Sequence, residues 1–323
     1  MNTLLVGVGY WGKNFVRILE KDTNDFQLKY ILDTQTIIPK YKSISNIRDL
    51  EKYVDDIEAA IVCSPTKTHY DIVKFLLKNN INVLVEKPIT TNLSEAEELY
   101  NLASKKNKVL LTDHTFLYNT SINYIHEMIE KKEIGELLHI SFERTNLGPI
   151  RSDVSSLWDL ATHDVSIMNA FIEDTAITSS ASGYKKGNSE LHDIVNISIN
   201  FPSKFVSIFA SWLHPEKSRK IKIVGSEKMI IYDDINNNEP IKIFNKKIKD
   251  VSIKNNEFSS IFNFSIGDIT SPYMELKEPL AEVVKDFENR INESKNINKL
   301  NTKQLTLKTI KILEDLDNLL NNK

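Results

Sequence analysis

The chain has a single cysteine, Cys63, among its 323 residues. That excludes an internal disulfide and any metal site built on clustered cysteines. In the apolar run "AAIVCS" the thiol reads as a buried structural one, and no metal is expected. No apolar run is long enough to span a bilayer, and no charged segment with a signal-type apolar stretch opens the chain. A soluble, cytoplasmic protein without a membrane partner is expected. Charge of one sign is also lacking: a formal charge of −3 and a pI near 6.2 give no basic footprint for nucleic acid. Local lysine runs such as "NKKIKD" read as solvated faces. Glycine is scarce, with only 9 residues, yet three of them, Gly7, Gly9 and Gly12, fall within six positions. What is present in quantity is apolar residue, 41% of the chain, enough for a sizeable core and two domains.

The glycines stand in "TLLVGVGYWGKNFVRILE", an apolar run followed by a helical pattern. A nearly continuous apolar strand suits a parallel sheet covered on both faces. In the dinucleotide-binding reading, the first glycine permits a tight turn and the second lets the backbone approach a pyrophosphate. The third lets helix and strand pack closely. The helix N-terminus offers free N–H groups to the phosphate, and Tyr10 and Trp11 ride on the same loop. A second strand, "FQLKYILD", ends in Asp33, where a ribose-binding carboxylate belongs. Such a carboxylate accepts from the ribose hydroxyls and repels a 2′-phosphate, which favours NAD over NADP. The plainer reading of Asp33 is a turn residue at a strand end.

Strands and helices then alternate: "IEAAIVCS", "THYDIVKFLLKNN", "INVLVEKP", "SEAEELYNLASKKN" and "KVLLTDH". The fourth opens on a capping box, Ser94 with Glu97. This alternation predicts a doubly wound parallel sheet, a Rossmann-type domain over residues 1–117. Ligands of such sheets sit at the carboxyl ends of the strands. That rule puts Ser64-Pro65, Glu86-Lys87 and His114 on the rim of the glycine loop. A lysine at a strand exit is ordinarily a surface residue; on a cofactor rim it can donate to a substrate oxygen or carry a proton.

From about residue 118 the pattern changes. A helix, "TSINYIHEMIEKKE", is followed by "ELLHISFER" and then by several β-type runs, from "TAITSSASGY" to "PIKIFN". Successive strands with few helices between them predict a mostly antiparallel open sheet with helices on one face, an α+β domain over 118–323. The Asn- and Lys-rich stretch 234–265 is expected to hold loops and an edge hairpin, and two helices close the chain. Within this half, "WDLATHD" puts Asp159 and His163 four apart on a helix expected over Leu157 to Phe171, nearly above one another. Taken alone, that pair reads as a solvated face. Asp164 projects into the apolar side, where a carboxylate needs a partner.

A glycine-loop domain, an E-K-P after a strand and a D-x-x-x-H on a helix of a sheet domain together resemble the Gfo/Idh/MocA oxidoreductase family, over nearly the whole chain. The resemblance implies that Lys87, Asp159 and His163 line the active site, with the helix pair facing the nucleotide domain across a cleft. It also implies that Ser64, Pro65, Thr66 and His69 of "SPTKTHY" lie beside the dinucleotide. The stretches "HTFLYN", "GELLHISFERTNLGPIRSDVSSLWDLATHD" and "KEPLAEVVKDF" look like the branch acting on nucleotide-linked sugars, the UDP-N-acetylglucosamine 3-dehydrogenases and their relatives. Thr162 and Thr120 stand where that branch usually has proline, and Asp113 where it usually has glycine.

The expected activity is therefore oxidation of a secondary sugar hydroxyl, with hydride passing to NAD. His163 is the first candidate for the base, because imidazole titrates near working pH. Asp159 would orient it or bind a neighbouring hydroxyl. Lys87 would stabilise the developing charge on oxygen or act as base itself. Substrate contacts are expected from Tyr118, Asn119, Arg144 and Arg151, the last on a loop suited to a pyrophosphate. An inositol, polyol or free-sugar dehydrogenase, a keto-sugar reductase and a non-catalytic dinucleotide sensor are the alternatives. The resemblance further implies homodimers or homotetramers through the second sheet.

Overall fold

The structure is a computed structural model that describes residues 1–21, 25–148, 150–186, 190–249, 263–265 and 267–321. The chain forms two compact units, Met1–Asn119 with Lys277–Asp315, and Thr120–Leu276 with Leu316–Lys323.

The first unit alternates β1 (Asn2–Val6), α1 (Tyr10–Leu19), β2 (Gln27–Leu32), β3 (Lys42–Ile44), β4 (Ala59–Val62), α2 (His69–Lys78), β5 (Asn82–Glu86), α3 (Leu93–Lys105) and β6 (Leu110–Asp113). The six strands form one sheet in the order β3-β2-β1-β4-β5-β6, and every pairing is parallel. The apolar runs explain this. Every residue of β4 and β5 is buried, as expected of strands covered on both faces. The order of the strands reverses between β1 and β4, so the space beyond their carboxyl ends is the topological switch point. The short edge strand β3 had no counterpart in the periodicity, since it is only three residues long.

The helix starts are set by local polar chemistry. The predicted capping box at Ser94 and Glu97 is corrected by two residues. Asn92 is the cap of α3, its side chain accepting from the Glu95 N–H, while Ser94 donates to Asn92 at 2.7 Å. Asparagine caps as well as serine does; the Asn92 N–H donates to the Thr90 hydroxyl, which in turn donates to Glu95, so a hydroxyl relay stands where a capping box would have a direct bond.

The second unit starts with α4 (Thr120–Glu130) and β7 (Leu137–Leu147). A single π-helical turn, Leu157–Ala161, leads into α5 (Thr162–Phe171). Then come β8 (Thr178–Tyr184), β9 (Ile194–Asn200), β10 (Phe205–Ser211), β11 (Leu213–Gly225), β12 (Met229–Asp233), β13 (Ile241–Phe244), β14 (Lys247–Lys249), β15 (Asn263–Ser265) and β16 (Ile269–Thr270). Eight of these strands form a sheet in the order β16-β13-β12-β11-β7-β10-β9-β8. All its pairings are antiparallel except β10 with β7. The period-2 pattern shows in β9, where Val195, Ile197 and Ile199 are buried and Asn196 and Asn200 are exposed. The π-turn packs against β10, and α5 packs against α4. Within 234–265, where loops and an edge hairpin are expected, β14 pairs antiparallel with β15 as a separate two-stranded sheet and not at the edge of the large one; residues 250–262 of that stretch lie outside the described residues.

Residues 277–315, expected in the second domain, belong to the first unit, which corrects the boundary. The cause is visible in α6 (Pro279–Ile291) and the start of α7 (Lys303–Asn321). Pro279 occupies the first turn of α6, where its missing N–H costs nothing. The buried face of α6 then presents Leu280, Val283, Val284 and Phe287. Phe287 stacks on Phe26, with ring centroids 5.5 Å apart. Asp286 on the same helix accepts from the Tyr118 hydroxyl at 2.6 Å and from Arg290 at 2.8 Å.

Phe287 is wholly buried, so Phe287→Ala should cost about 3–5 kcal/mol. Denaturant unfolding of the full chain checks this, and a loss below about 1 kcal/mol would contradict the docking of α6 on the first unit.

Candidate active site

The glycine loop is built by close backbone contacts. Gly7 has φ +84°, and a Cβ there would lie 2.8 Å from the backbone of Cys63 and Ser64. A Cβ on Gly12 would lie 2.1 Å from the Gly7 carbonyl oxygen, so α1 can sit this close to the loop only without a side chain. Around Gly9 the space is open, with nothing within 4 Å of an added Cβ. No side chain caps α1, which leaves its N-terminus available to an anion. Tyr10 and Trp11 are exposed beside it, their rings edge to face at 5.7 Å.

Asp33 follows β2 and holds this loop from the side. One carboxylate oxygen accepts from the Val8 N–H at 2.7 Å, and the other from Gln35 and Thr36 N–H at 2.8 and 2.7 Å. The turn role is therefore real, and it coexists with a place beside the glycines. Burial pushes this carboxyl up, but the backbone donors outweigh it and hold it below the ordinary range. A permanently ionised acid here suits ribose hydroxyls and opposes a phosphate. With the open side at Gly9 and the uncapped helix, the residues fit a dinucleotide.

The next strands end on the same rim. Ser64 accepts from Thr68 at 2.7 Å, and Pro65 precedes a 3-10 turn, Thr66–Thr68, in which Thr66 is buried. His69 bridges the loops: Nε2 lies 2.8 Å from the Ser64 carbonyl and Nδ1 2.9 Å from the Pro88 carbonyl. It thereby ties the end of β4 to the E-K-P turn. Glu86 ends β5, and one of its oxygens accepts from the Lys87 N–H at 3.1 Å; both side chains are buried.

His114 reaches the expected rim but is sealed there. Its Nε2 lies 3.1 Å from the Thr306 hydroxyl, and burial followed by the Lys87 charge pushes its pKa down to about 3. It is a neutral, internal imidazole rather than an exposed cofactor contact. Tyr118 is corrected too. Its hydroxyl donates to Asp286 and accepts from Asn301 at 3.0 Å, so it is an internal strut of the first unit. Asn119 is half-buried, with its N–H on the Phe116 carbonyl.

In the second unit, Asp159 lies on the π-turn and His163 on the first turn of α5. π-turns recur at functional sites. Thr162 braces this one, its hydroxyl donating to the Trp158 carbonyl at 2.6 Å. Asp159 is held from two sides: Arg151 donates to one oxygen and the Trp212 indole to the other, each at 3.2 Å. Arg151 also grips Asp153 through two nitrogens, at 2.9 and 2.7 Å. The arginine expected to meet a pyrophosphate is thus engaged by two carboxylates. Trp212 and Asp153 carried no signal in the sequence, because neither lies in a motif and their partners are set by tertiary contacts.

Arg144 is a further correction. It is buried, and its guanidinium donates three bonds of 2.7 to 3.1 Å to Asp164. That pairing supplies the partner Asp164 required and makes Arg144 structural.

Comparison with known proteins now adds to the geometry. Residues 1–114 match the family described as an oxidoreductase family with an NAD-binding Rossmann fold, and 122–231 match the GFO/IDH/MocA C-terminal domain. The uncharacterized oxidoreductase YfiI of Bacillus subtilis (strain 168) is 29% identical over 122 residues, 38% of this chain and 30% of that protein. The scyllo-inositol 2-dehydrogenase (NADP(+)) IolW of the same organism is 22% identical over 265 residues, 77% of this chain and 73% of that protein. Among solved structures, the UDP-N-acetylglucosamine 3-dehydrogenase GnnA from Acidithiobacillus ferrooxidans superposes with a TM-score of 0.81 at 17% identity, covering 100% of this chain and 98% of that one. GenD2 from gentamicin A biosynthesis, in complex with NAD, gives 0.81 at 16%, covering 100% and 95%. At these identities the structural likeness shows the fold.

The glycine contacts separate two effects. Gly9→Ala should fold with unchanged stability and weaken NADH binding about tenfold or more by filling the pyrophosphate approach. Gly12→Ala should itself destabilise by about 1–3 kcal/mol through overpacking. Fluorescence titration with NADH and thermal unfolding of both variants distinguish them; equal losses of stability would contradict the assignment.

Proposed function

The chain belongs to the GFO/IDH/MocA oxidoreductase family, and on that premise we propose that it oxidises a secondary hydroxyl, C3, of a nucleotide-linked sugar such as UDP-N-acetylglucosamine to the ketone. The observation that carries the dehydrogenase reading is the first unit's rim, where an open glycine loop, an ionised Asp33 and Lys87 gather at the ends of parallel strands. The full-length likeness to GnnA supports the sugar-nucleotide class.

NAD, when bound, supplies the hydride acceptor. In this reading His163 takes the hydroxyl proton, and Asp159, fixed by Arg151 and Trp212, orients the reacting group. Lys87 donates to the reacting oxygen and stabilises the charge that develops on it. Asn119 and Arg151 contact the substrate, the latter able to exchange a carboxylate for a phosphate because both fit its planar fork.

The test is NADH formation with NAD across UDP-N-acetylglucosamine, other nucleotide sugars and myo-inositol, with an aminotransferase present to remove ketone. Turnover of a nucleotide sugar alone is expected. Turnover of inositol alone would overturn the substrate and bring the chain nearer to IolW. NADH binding without any turnover would replace the enzyme by a dinucleotide sensor. His163→Asn and Lys87→Met should each lower kcat about a hundredfold or more, and near-normal turnover would remove that residue from the mechanism.

Copies of the chain are proposed to associate through the second sheet, as dimers or tetramers. Sedimentation at micromolar concentration checks this, and a clean monomer would contradict it.

A further inference from the structure

Two carboxyl groups stand side by side next to Lys87. Glu86 closes β5, Asp113 closes β6, and the two are register partners across the parallel ladder. Partners in register leave a sheet on the same face. Glu86 is 8% exposed and Asp113 0%, so neither carboxyl is solvated. One Asp113 oxygen accepts from the Thr115 hydroxyl at 2.7 Å. The other, Oδ2, is buried with no hydrogen-bond partner among the described residues.

An acceptor sealed from water without a donor is costly. So are two adjacent carboxylates in a dry interior, where like charges cannot both be sustained. One proton resolves both problems: a protonated carboxyl donates to its neighbour, and the pair carries a single negative charge beside the Lys87 ammonium. The neighbours do not compete for that proton. Burial, then Glu86 and Asp113, push the Cys63 thiol at the end of β4 well up, and it stays protonated. His114, pushed down to about 3, stays neutral. Lys87 is the cation acting on the pair, and it draws both carboxyls down. Burial outweighs this attraction: Asp113 is pushed up to about 6, and Glu86, with the Asp113 charge adding to burial, well above its usual range.

We propose that Glu86 and Asp113 share one proton at neutral pH and act as a positioning pair for Lys87, holding its ammonium against a single delocalised negative charge. The bearing on catalysis rests on the role given to Lys87 above; the shared proton does not. In the sugar oxidation, loss of that proton would set a second negative charge against Lys87 and weaken its donation to the reacting oxygen. The pair should therefore contribute a downward limb to the alkaline side of the kcat–pH profile.

The sign for stability follows from linkage. A carboxyl raised above its unfolded value of 3.8 stabilises the fold most below that value. The benefit is lost as pH rises through the folded value of about 6.

The experiment is infrared spectroscopy of the full chain at neutral pH, on the wild type, Asp113→Asn and Glu86→Gln, both isosteric changes. An acid-type carbonyl stretch is expected in the wild type; it should be lost in Glu86→Gln and shifted in frequency in Asp113→Asn, where the neighbour that shares the proton is gone. The fall in stability between about pH 4 and 6 should flatten in Asp113→Asn relative to the wild type. The alkaline limb of kcat should shift by about one pH unit or more in that variant. No acid band in the wild type, or a band that survives both substitutions, would overturn the shared proton. A band lost and shifted in this way with an unmoved kcat profile would overturn the positioning role. An intact band in a protein that turns over no substrate would count against the dehydrogenase reading and leave the shared proton standing.

Discussion

The first unit depends on one close contact, the approach of Gly12 to the carbonyl of Gly7. A helix that follows a buried strand can start immediately only if its first turn lies against the turn that reverses the chain. Here any side chain would fall 2.1 Å from that carbonyl. The contact aims the uncapped end of α1 at the space beyond β1 and β4. It also brings Val8 within reach of Asp33. Parallel pairing does the rest: because β1, β4, β5 and β6 all run the same way, Ser64, Lys87 and His114 exit on the edge where the helix end lies. The rim is a consequence of strand direction, and the chemistry is distributed along it by position in each strand.

Both units carry charge inside, and in each case the cost is met locally. Arg144 and Asp164 form a bidentate pair with hydrogen bonds on both sides, the arrangement in which a buried ion pair is tolerated. Asp286 meets Tyr118, Arg290 and the Asn298 N–H, which joins α6 to the segment leaving β6. These are devices of specificity as much as of stability. A hydrophobic substitute would pack, but it would not fix where α6 and the 3-10 turn after β6 meet. Glu86 and Asp113 differ in kind, because they set two buried carboxyls side by side, and the proposed shared proton is what would offset their repulsion.

Much of this was legible from the amino acids. The run of apolar residues at 59–62 and 82–86 fixed a doubly covered strand, and the period-2 pattern of β9 fixed a sheet with one wet face. The glycine spacing located the tight turn between β1 and α1, and the strand-end position of Asp33 set it beside that turn. What stayed hidden was pairing across distance. Arg144 looks like any strand arginine until Asp164, twenty positions on, is folded onto it. Tyr118 and Asp286 are 168 positions apart, and nothing local says that α6 returns to the first unit. The cap of α3 was misplaced because Asn92 and Ser94 are equally good caps and the choice falls to packing. His114 obeyed the rim rule, yet the rule concerns the backbone and does not say which rim side chains turn inward.

The same distinction bears on how the proposed proton transfer is divided. Asp159 stands one turn before His163, and a carboxylate can serve as a base. Its two oxygens, however, already accept from Arg151 and Trp212. Trp212 is itself fully buried at the junction of β10 and β11, with its backbone N–H on the Asp193 carbonyl, so its indole is held in place as a donor to Asp159. Protonating Asp159 would discharge the partner of Arg151 and weaken the bonds that its oxygens accept. An imidazole ordinarily titrates near working pH, the property a base for the hydroxyl proton needs. The π-turn strengthens this division, because it sets Asp159 on a wider turn than the one that carries His163. In the proposed mechanism Asp159 is therefore the orienting residue, and His163, on the next turn, is the base.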